Sequence, residues 1–257
     1  MRDWLTGRPI AHRGLHDAAS GVIENTPSAF RAAIDGNYGI ECDLQISADG
    51  EAMVHHDDAL GRLTEGAGRL DAMTTEALRR VAFKETADRM LTLGGLCDLA
   101  RGRTLLLIEL KGSFAGDTRL AARTAQVLDG YSGPVAAMSF DPGLMAALRR
   151  LAPKLALGLV GMRRDVGTPA TVDTSAWRYA RRALAVRPQF LAYRVQDLTT
   201  APPLIARHVM RWPLLTWTVR TPQDRLQAAQ HADQIIFEGF RPSAPEGDSS
   251  AAAVENG

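Results

Sequence analysis

Two carboxylates, Glu41 and Asp43, stand two residues apart in the mostly apolar stretch Gly39–Ile46. Side chains two residues apart on a β-strand point to the same face. Such a pair is costly to bury unless a cation or a basic side chain compensates its charge. The same spacing also occurs on exposed edge strands, so a cation site requires further ligands.

The chain turns back after this stretch, because Asp49-Gly50 is typical of a two-residue hairpin turn. The returning segment ends at the histidine pair His55-His56. The length of the turn decides which histidine shares a face with the carboxylates, since a shift of one residue moves every side chain to the other face.

Turns of two and four residues both place His56 on the face that carries the carboxylates. A two-residue turn places Asp43 opposite His56, and a loop Ser47–Gly50 places Glu41 opposite His56. A three-residue loop would place His55 on that face instead. We expect a turn of two or four residues, so that Glu41, Asp43 and His56 lie together on one face. His55 is the alternative histidine for this site.

Other polar residues follow predicted strands. His12-Arg13-Gly14 comes directly after the strand Pro9–Ala11, a combination that suits a loop approaching an anion closely. Glu109 and Lys111 end an apolar strand and share a face. Trp217 lies near the end of another. Each has an ordinary structural alternative, such as a rim ion pair between Glu109 and Lys111.

Strands and helices alternate along most of the chain. Further strands are predicted at Leu105–Leu110, Val135–Met138, Leu155–Val160, Phe190–Tyr193, Leu214–Val219 and Gln234–Phe237. Helices are predicted from Thr26-Pro27, from Thr74 or Thr75, over Leu93–Ala100 and Leu120–Leu128, from Asp141-Pro142, over Ser175–Leu184 and Leu204–Met210, and from Thr221-Pro222.

Repeated βα units imply a right-handed parallel sheet, and their number favours closure into a (β/α)8 TIM barrel. A small hairpin-like insertion is expected near strand two. An open doubly wound sheet is the alternative, disfavoured because no Gly-x-Gly-x-x-Gly follows any strand. We assign residues 1–242 to a single barrel domain and residues 243–257 to a disordered tail.

The composition excludes several classes of protein. A balance of 30 basic and 29 acidic residues gives a net charge of +1, which does not indicate a nucleic-acid partner. The two cysteines, Cys42 and Cys97, lack metal-binding spacing. No signal-peptide core or membrane-spanning apolar run is present, so we expect a cytoplasmic protein.

The carboxyl ends of barrel strands form one mouth, where reactive groups gather. Three carboxylates there suit a hard divalent cation, Mg²⁺ or Ca²⁺. Arg13 and Lys111 suit a phosphate, and two histidines suit acid/base catalysis near neutral pH. Together these residues predict metal-assisted displacement at phosphorus in a small-molecule phosphodiester.

Seven segments, in order and spacing, resemble the glycerophosphodiester phosphodiesterase family. They are IAHRG at Ile10–Gly14, ENTPSAFRAAI at Glu24–Ile34, IECDLQISADG at Ile40–Gly50, HHD at His55–Asp57, IELK at Ile108–Lys111, SFDP at Ser139–Pro142 and WTV at Trp217–Val219. The resemblance extends to about Phe240. It implies a TIM barrel that hydrolyses glycerophosphodiesters to an alcohol and sn-glycerol 3-phosphate with a divalent cation.

The resemblance also implies roles for single residues. By motif, these are His12 and His56 as the catalytic acid/base pair, Glu41, Asp43 and Glu109 as metal ligands, Arg13 and Lys111 as phosphate contacts, Trp217 as a wall of the substrate pocket, and Glu24 as a support of the site. Two departures stand out. Glu238 occupies a position where the family usually has Asp, which we expect to lie outside the groups that contact metal or substrate, and the loop Asp58–Leu70 begins DDAL instead of Asp-Pro.

Two other functions fit the same residues. One is a phosphodiesterase for bulkier lysophospholipid-like or sugar-phosphate diesters, with aromatic residues at the mouth as acceptors. The other is a catalytically silent barrel that binds phosphodiesters. The complete set of histidines and carboxylates argues against a silent binder, which has no need of both.

Overall fold

The computed structural model describes residues 3–163 and 186–242 of the chain. Within these residues, nine strands form one sheet: β1 (Ile10–Ala11), β2 (Gly39–Ile46), β3 (Ala52–Val54), β4 (Leu106–Leu110), β5 (Val135–Ser139), β6 (Ala156–Gly161), β7 (Phe190–Arg194), β8 (Leu214–Val219) and β9 (Gln234–Phe237). All except β3 are parallel to their neighbours.

The sheet closes on itself because β1 pairs with both β2 and β9. Ile10 lies in register with Gly39 on one side and with Ile236 on the other. The predicted TIM barrel is therefore confirmed, and the open doubly wound sheet is excluded. The remaining strand, β3, pairs antiparallel with the end of β2 and forms the expected small hairpin.

Helices of the described chain connect the strands. They are α1 (Asp3–Thr6), α2 (Pro27–Asp35), α3 (Thr75–Arg80), α4 (Leu93–Ala100), α5 (Arg119–Leu128), α6 (Pro142–Leu151), α7 (Ala201–Leu204) and α8 (Pro222–His231). The Thr26 and Thr221 side chains cap α2 and α8 as predicted, by accepting backbone N–H groups of the first turn. Among these helices, none has the length and apolarity needed to cross a membrane.

The described helices differ from the predictions at two places. Helix α1 was not predicted; its Leu5 is buried in the barrel interior. The helix expected at Leu204–Met210 begins earlier, at Ala201, because prolines are tolerated in a first turn, and it continues as a π-helix over Ile205–Val209. The helix predicted at Ser175–Leu184 and the tail at 243–257 lie outside the described residues.

The β2–β3 hairpin has a register that the sequence analysis predicted incorrectly. Leu44 pairs with Val54, and the Ser47 N–H donates to the Glu51 carbonyl, so the tip is a three-residue loop. Gly50 provides the left-handed residue, at φ 84°, that such loops require. In this register Asp43 falls opposite His55, not His56.

Apolar side chains of the parallel strands form two layers. One cluster fills the barrel and includes Leu107, Phe190 and Leu215; the larger cluster lies between the strands and the surrounding helices and includes Phe30, Ile108 and Leu148. Adjacent residues of one strand thus face different layers, as strand geometry requires. The same alternation determines which residues face the barrel mouth.

Candidate active site

The last inward-facing position of several strands carries a polar or aromatic residue. Inward positions Ile10, Leu107, Leu215 and Ile236 belong to the barrel cluster, and two residues further along the chain stand His12, Glu109, Trp217 and Glu238 respectively. Because the strands are parallel, these residues meet at the carboxyl-terminal mouth of the barrel.

Three carboxylates converge at this mouth. One oxygen from each of Glu41, Asp43 and Glu109 lies within 4.8 Å of the others. All three side chains are buried, and Asp43 is in direct register with Glu109 on the neighbouring strand. The structure therefore brings together the three residues that the sequence analysis selected as metal ligands.

Two basic side chains partly compensate this charge. Lys111 Nζ lies 2.8 Å from Asp43 Oδ1 and 2.6 Å from Glu109 Oε1. Arg13 Nε lies 3.2 Å from Asp43 Oδ2. Burial alone would raise the pKa of Asp43, but the charges of Lys111 and Arg13 prevail and hold this pKa well below its usual range. Asp43 is therefore ionised.

Glu41 is less well compensated. The Arg13 backbone N–H donates to Glu41 Oε2 at 2.9 Å, but the side chains of Lys111 and Arg13 pair with other carboxylates. The basic side chain paired with Glu41 is His12, whose Nε2 lies 4.0 Å away and is charged only when the ring is protonated. Burial, followed by the negative charges of Asp43 and Glu109, raises the pKa of Glu41 well above its usual value. A divalent cation among the three carboxylates would remove that charge imbalance, and carboxylate oxygens are the ligands that Mg²⁺ and Ca²⁺ prefer. The donor set thus fits such a cation.

The loop after β1 supports the carboxylates through residues near Glu24. Arg13 Nη1 and Arg62 Nη2 both donate to Glu24 Oε1 at 2.7 Å, which agrees with the supporting role expected for Glu24. The buried Asn25 side chain donates to Asp43 Oδ2 at 2.9 Å. The sequence analysis did not select Asn25, although its place beside Glu24 in the ENTP segment was a usable signal.

His12 contacts two carboxylates through its two ring nitrogens. Its Nε2 faces Glu41 Oε2 at 4.0 Å, and its Nδ1 forms a 2.8 Å hydrogen bond with Glu238 Oε2. Arg220 Nη2 donates to the same Glu238 oxygen at 3.0 Å. Glu238 was expected to lie outside the groups that contact metal or substrate, and in the structure it contacts His12. The two-residue spacing from Ile236 was the signal that could have placed Glu238 at the mouth.

His56 also lies at the mouth, despite the unexpected hairpin register. Strand pairing ends at Val54, and beyond it Arg62 donates both to Asp57, the partner of His56, and to Glu24, which also accepts from Arg13. The ring Nδ1 of His56 lies 2.8 Å from Asp57 Oδ1. In contrast, His55 is buried against the ring of Phe83, with centroids 6.4 Å apart.

Aromatic and polar side chains complete the mouth. Trp217 donates its indole N–H to the Ala192 carbonyl at 3.2 Å, and its ring meets that of Phe140 edge-to-face at a centroid distance of 5.7 Å. A cavity of about 160 Å³ lies beside Lys111, lined also by Gln45, Asp58, Arg69 and Asp71. The loop Asp58–Leu70 therefore contributes to the mouth.

A second cluster of metal-binding residue types adjoins the first. Single atoms of His12, His16 and Glu238 lie within 4.8 Å of one another. Nε2 of His16 is inaccessible to solvent and has no hydrogen-bond partner, and it lies 4.0 Å from Glu238 Oε2. His16 was not selected from the sequence, because nothing in its loop position indicates this neighbour.

Comparison with known proteins gives consistent results. The family model described as the glycerophosphoryl diester phosphodiesterase family matches residues 12–239. A glycerophosphodiester phosphodiesterase of Caldanaerobacter subterraneus subsp. tengcongensis is 30% identical over 161 residues, which cover 59% of this chain. The matched region spans 65% of that relative's length, slightly less than two thirds.

Solved structures share the fold over nearly the whole chain. One is a protein of Silicibacter pomeroyi that is named a glycerophosphoryl diester phosphodiesterase. It is 25% identical to this chain, with a TM-score of 0.75, and the alignment covers 91% of this chain and 93% of that one. A phosphodiesterase of Oleispira antarctica, solved in complex with the product sn-glycerol-3-phosphate, is 20% identical, with a TM-score of 0.74 and coverage of 90% and 92%. With a family match that includes all the candidate residues, the chain belongs to the glycerophosphoryl diester phosphodiesterase family.

Proposed function

We propose that this protein hydrolyses glycerophosphodiesters to an alcohol and sn-glycerol 3-phosphate, and that it requires a divalent cation, Mg²⁺ or Ca²⁺. The observation that carries the proposal is the convergence of three buried carboxylates, Glu41, Asp43 and Glu109, at the mouth that His12 and Arg13 also reach. Membership of the family and the product held by the Oleispira antarctica relative support the same reaction.

Glu41, Asp43 and Glu109 would hold the cation. When bound, it would supply positive charge for the phosphate oxygens on which negative charge develops in the transition state. Arg13 and Lys111 add to this stabilisation. Lys111 has three ammonium donors and uses two of them on Asp43 and Glu109, which leaves one for a phosphate oxygen.

His12 and His56 divide the proton transfers. One accepts the proton of the attacking oxygen, from water or from the glycerol 2-hydroxyl, as the new oxygen–phosphorus bond forms. Attack by the hydroxyl would give a cyclic phosphate, which water would then open by breaking the bond between phosphorus and the 2-oxygen. The other donates its proton to the alkoxide that departs as the bond between phosphorus and the alcohol oxygen breaks. The edge-to-face pair of Trp217 and Phe140 offers an apolar wall for the organic part of the substrate.

The test is release of glycerol 3-phosphate from glycerophosphocholine and glycerophosphoethanolamine by chelator-stripped protein, before and after addition of Mg²⁺ or Ca²⁺. We expect turnover only after the cation is added. In Glu41→Gln we expect a higher cation requirement, because a ligand charge is lost. Glu51→Gln is the matched control, since Glu51 is paired with Arg123 at 2.8 Å, outside the carboxylate trio.

Other outcomes assign the site differently. Activity without cation, unaffected by chelator, would contradict the metal requirement. Cation binding without turnover of either diester, but with turnover of a lysophospholipid, would move the substrate to the bulkier class, for which the aromatic pair would be the acceptor. Absence of turnover on every phosphodiester would favour a silent binding barrel.

A further inference from the structure

We propose that Glu238, held by Arg220, is the positioning residue of His12. It accepts a hydrogen bond from Nδ1–H and thereby directs an unprotonated Nε2 toward the carboxylate cluster, where His12 acts as the general base. The role of His12 in hydrolysis rests on the proposed function, whereas the way in which its ring is held does not.

The protonation of the ring follows from the contact itself. An ionised carboxylate can only accept a hydrogen bond, so a 2.8 Å contact between Glu238 Oε2 and Nδ1 requires the proton to be on Nδ1. Burial disfavours ionisation of Glu238, but its bonds from His12 and Arg220 outweigh burial and lower its pKa to about 2. In the neutral ring Nε2 is then left as the acceptor.

Glu238 is itself firmly held. Its backbone N–H donates to the Val219 carbonyl at 3.1 Å, which continues the β8–β9 pairing beyond the last strand residue. The Arg220 backbone N–H donates to Asp224 Oδ2 at 3.1 Å, at the start of α8. The guanidinium that donates to Glu238 and the carboxylate that accepts the hydrogen bond from His12 Nδ1–H are therefore both attached to regular structure.

The other histidine is held by the same kind of arrangement. Nδ1 of His56 lies 2.8 Å from Asp57 Oδ1, and Arg62 Nε donates to Asp57 Oδ2 at 2.6 Å. The side chain of His56 is 32% exposed, against 12% for His12. The acceptor Nε2 of the more buried ring faces Glu41 at 4.0 Å, so His12 takes the base role and the more exposed His56 takes the acid role.

A second cation at His12, His16 and Glu238 would be a competing use of the same atoms. It would have to displace the Nδ1 proton from a 2.8 Å hydrogen bond and would lie beside the guanidinium of Arg220. The cation and the Arg220 guanidinium would repel each other at the same Glu238 oxygen, so the hydrogen bond between His12 and Glu238 is favoured over a second cation. Cation stoichiometry separates the two alternatives.

The experiment compares Glu238→Ala and Glu238→Gln with the wild type and with Glu51→Gln, which removes a carboxylate paired with Arg123 elsewhere. Histidine ring ¹⁵N–¹H spectra give the tautomer of His12, with its signals assigned by their loss in His12→Asn. We expect Nδ1–H in the wild type, in Glu51→Gln and in Glu238→Gln, whose amide oxygen still accepts. In Glu238→Ala we expect Nε2–H to become substantial.

Kinetics on glycerophosphocholine provide the second measurement. We expect Glu238→Ala to lower kcat by roughly 10- to 100-fold, the range for loss of a partner that orients a functional histidine. KM should change much less, Glu238→Gln should retain more activity than Glu238→Ala, and Glu51→Gln should match the wild type. We also expect one cation per chain in every one of these proteins.

Three results would overturn the inference. They are an Nε2–H tautomer in the wild type, an unchanged tautomer in Glu238→Ala, and a second bound cation that disappears in that variant. The spectra need no substrate. If the wild type hydrolyses no phosphodiester, the proposed function fails while the tautomer result still decides whether Glu238 positions His12.

Discussion

Asp43 and Glu109 lie side by side on β2 and β4, and the ammonium of Lys111 contacts both carboxylates, at 2.8 and 2.6 Å. Carboxylates at this spacing repel each other when both are ionised. The buried ammonium reduces that repulsion, and the two negative charges in turn raise the pKa of Lys111 above its usual value although burial lowers it. Lys111 thus stabilises the site without a cation and competes with one for the same oxygens.

Replacement of Lys111 should therefore separate cation binding from catalysis. In Lys111→Met we expect tighter cation binding, by at least about tenfold for one unit charge removed at this distance, together with loss of most turnover because a phosphate contact is gone. Cation titration followed by calorimetry measures the first effect. Lys154→Met, at an exposed site preceding β6, is the control and should alter neither property. Weaker cation binding in Lys111→Met would contradict the competition.

The two neighbouring histidines should differ in what their loss affects. His56→Ala should abolish turnover and leave the melting temperature nearly unchanged, because the ring is partly exposed and lies at the mouth. His55→Ala should keep most activity but lower stability by about 2 kcal/mol, since the buried ring packs against Phe83. Denaturant unfolding and turnover, measured on both variants, check the pair. Equal loss of turnover in the two variants would contradict the assignment of His56.

The pH dependence of kcat/KM should reflect the environment of His12. Burial lowers the pKa of His12 below the usual 6.5, and Arg13 lowers it further, while the hydrogen bond to Glu238 and the charge of Asp43 raise it. A general base acts in its neutral form, which exists above its pKa, so the acid limb of the profile should lie below pH 6.5. A bound cation would shift it in the same direction. In Glu238→Gln the acid limb should move to still lower pH, because the negative charge of Glu238, which raises the pKa of His12, is lost. An acid limb above pH 6.5 in the wild type would rule out His12 as the base.

Gly14 should tolerate no side chain. A Cβ there would lie 2.9 Å from the backbone carbon of Ala29, and the residue has φ +80°. We expect Gly14→Ala to lower the free energy of unfolding by about 3 kcal/mol and to impair turnover, because it displaces the backbone that follows His12 and Arg13. Gly50→Ala is the matched control. It has φ +84° but open space around the Cβ, so its cost should be about 1 kcal/mol from the backbone alone, with unchanged turnover. Equal unfolding energies for the two variants would show that contact with Ala29 is unimportant.

Most of the barrel could be predicted because its signals are local. Apolar runs of strand length and helix caps such as Thr26 and Thr221 depend on residues close in sequence. The same local alternation placed Glu41 with Asp43 and Glu109 with Lys111 on common faces. Once a parallel barrel was predicted, the carboxyl ends of its strands had to meet, so the three-carboxylate cluster followed from the sequence.

The turn after β2 depended on a contact that the sequence pattern does not reveal. Asp49 Oδ1 accepts hydrogen bonds from the Thr75 N–H and hydroxyl, at 2.9 and 2.8 Å, and Ser47 also donates to it. These bonds favour the three-residue loop over the two-residue turn that Asp49-Gly50 predicts by itself. Propensity is a weak determinant of turn length when distant side chains supply hydrogen bonds of this kind.

The sequence by itself thus determined the type of barrel, the inward faces of its parallel strands and the chemistry of the residues at their ends, because these follow from backbone periodicity and side-chain type. Only the tertiary structure decided that Glu238 is the hydrogen-bond partner of His12. Closure of the sheet brings β9 beside β1, so these two residues from opposite ends of the chain come into contact. Hydrogen bonds act over about 3 Å in space and are independent of distance along the chain, so partners of this kind become visible only when the strands are paired.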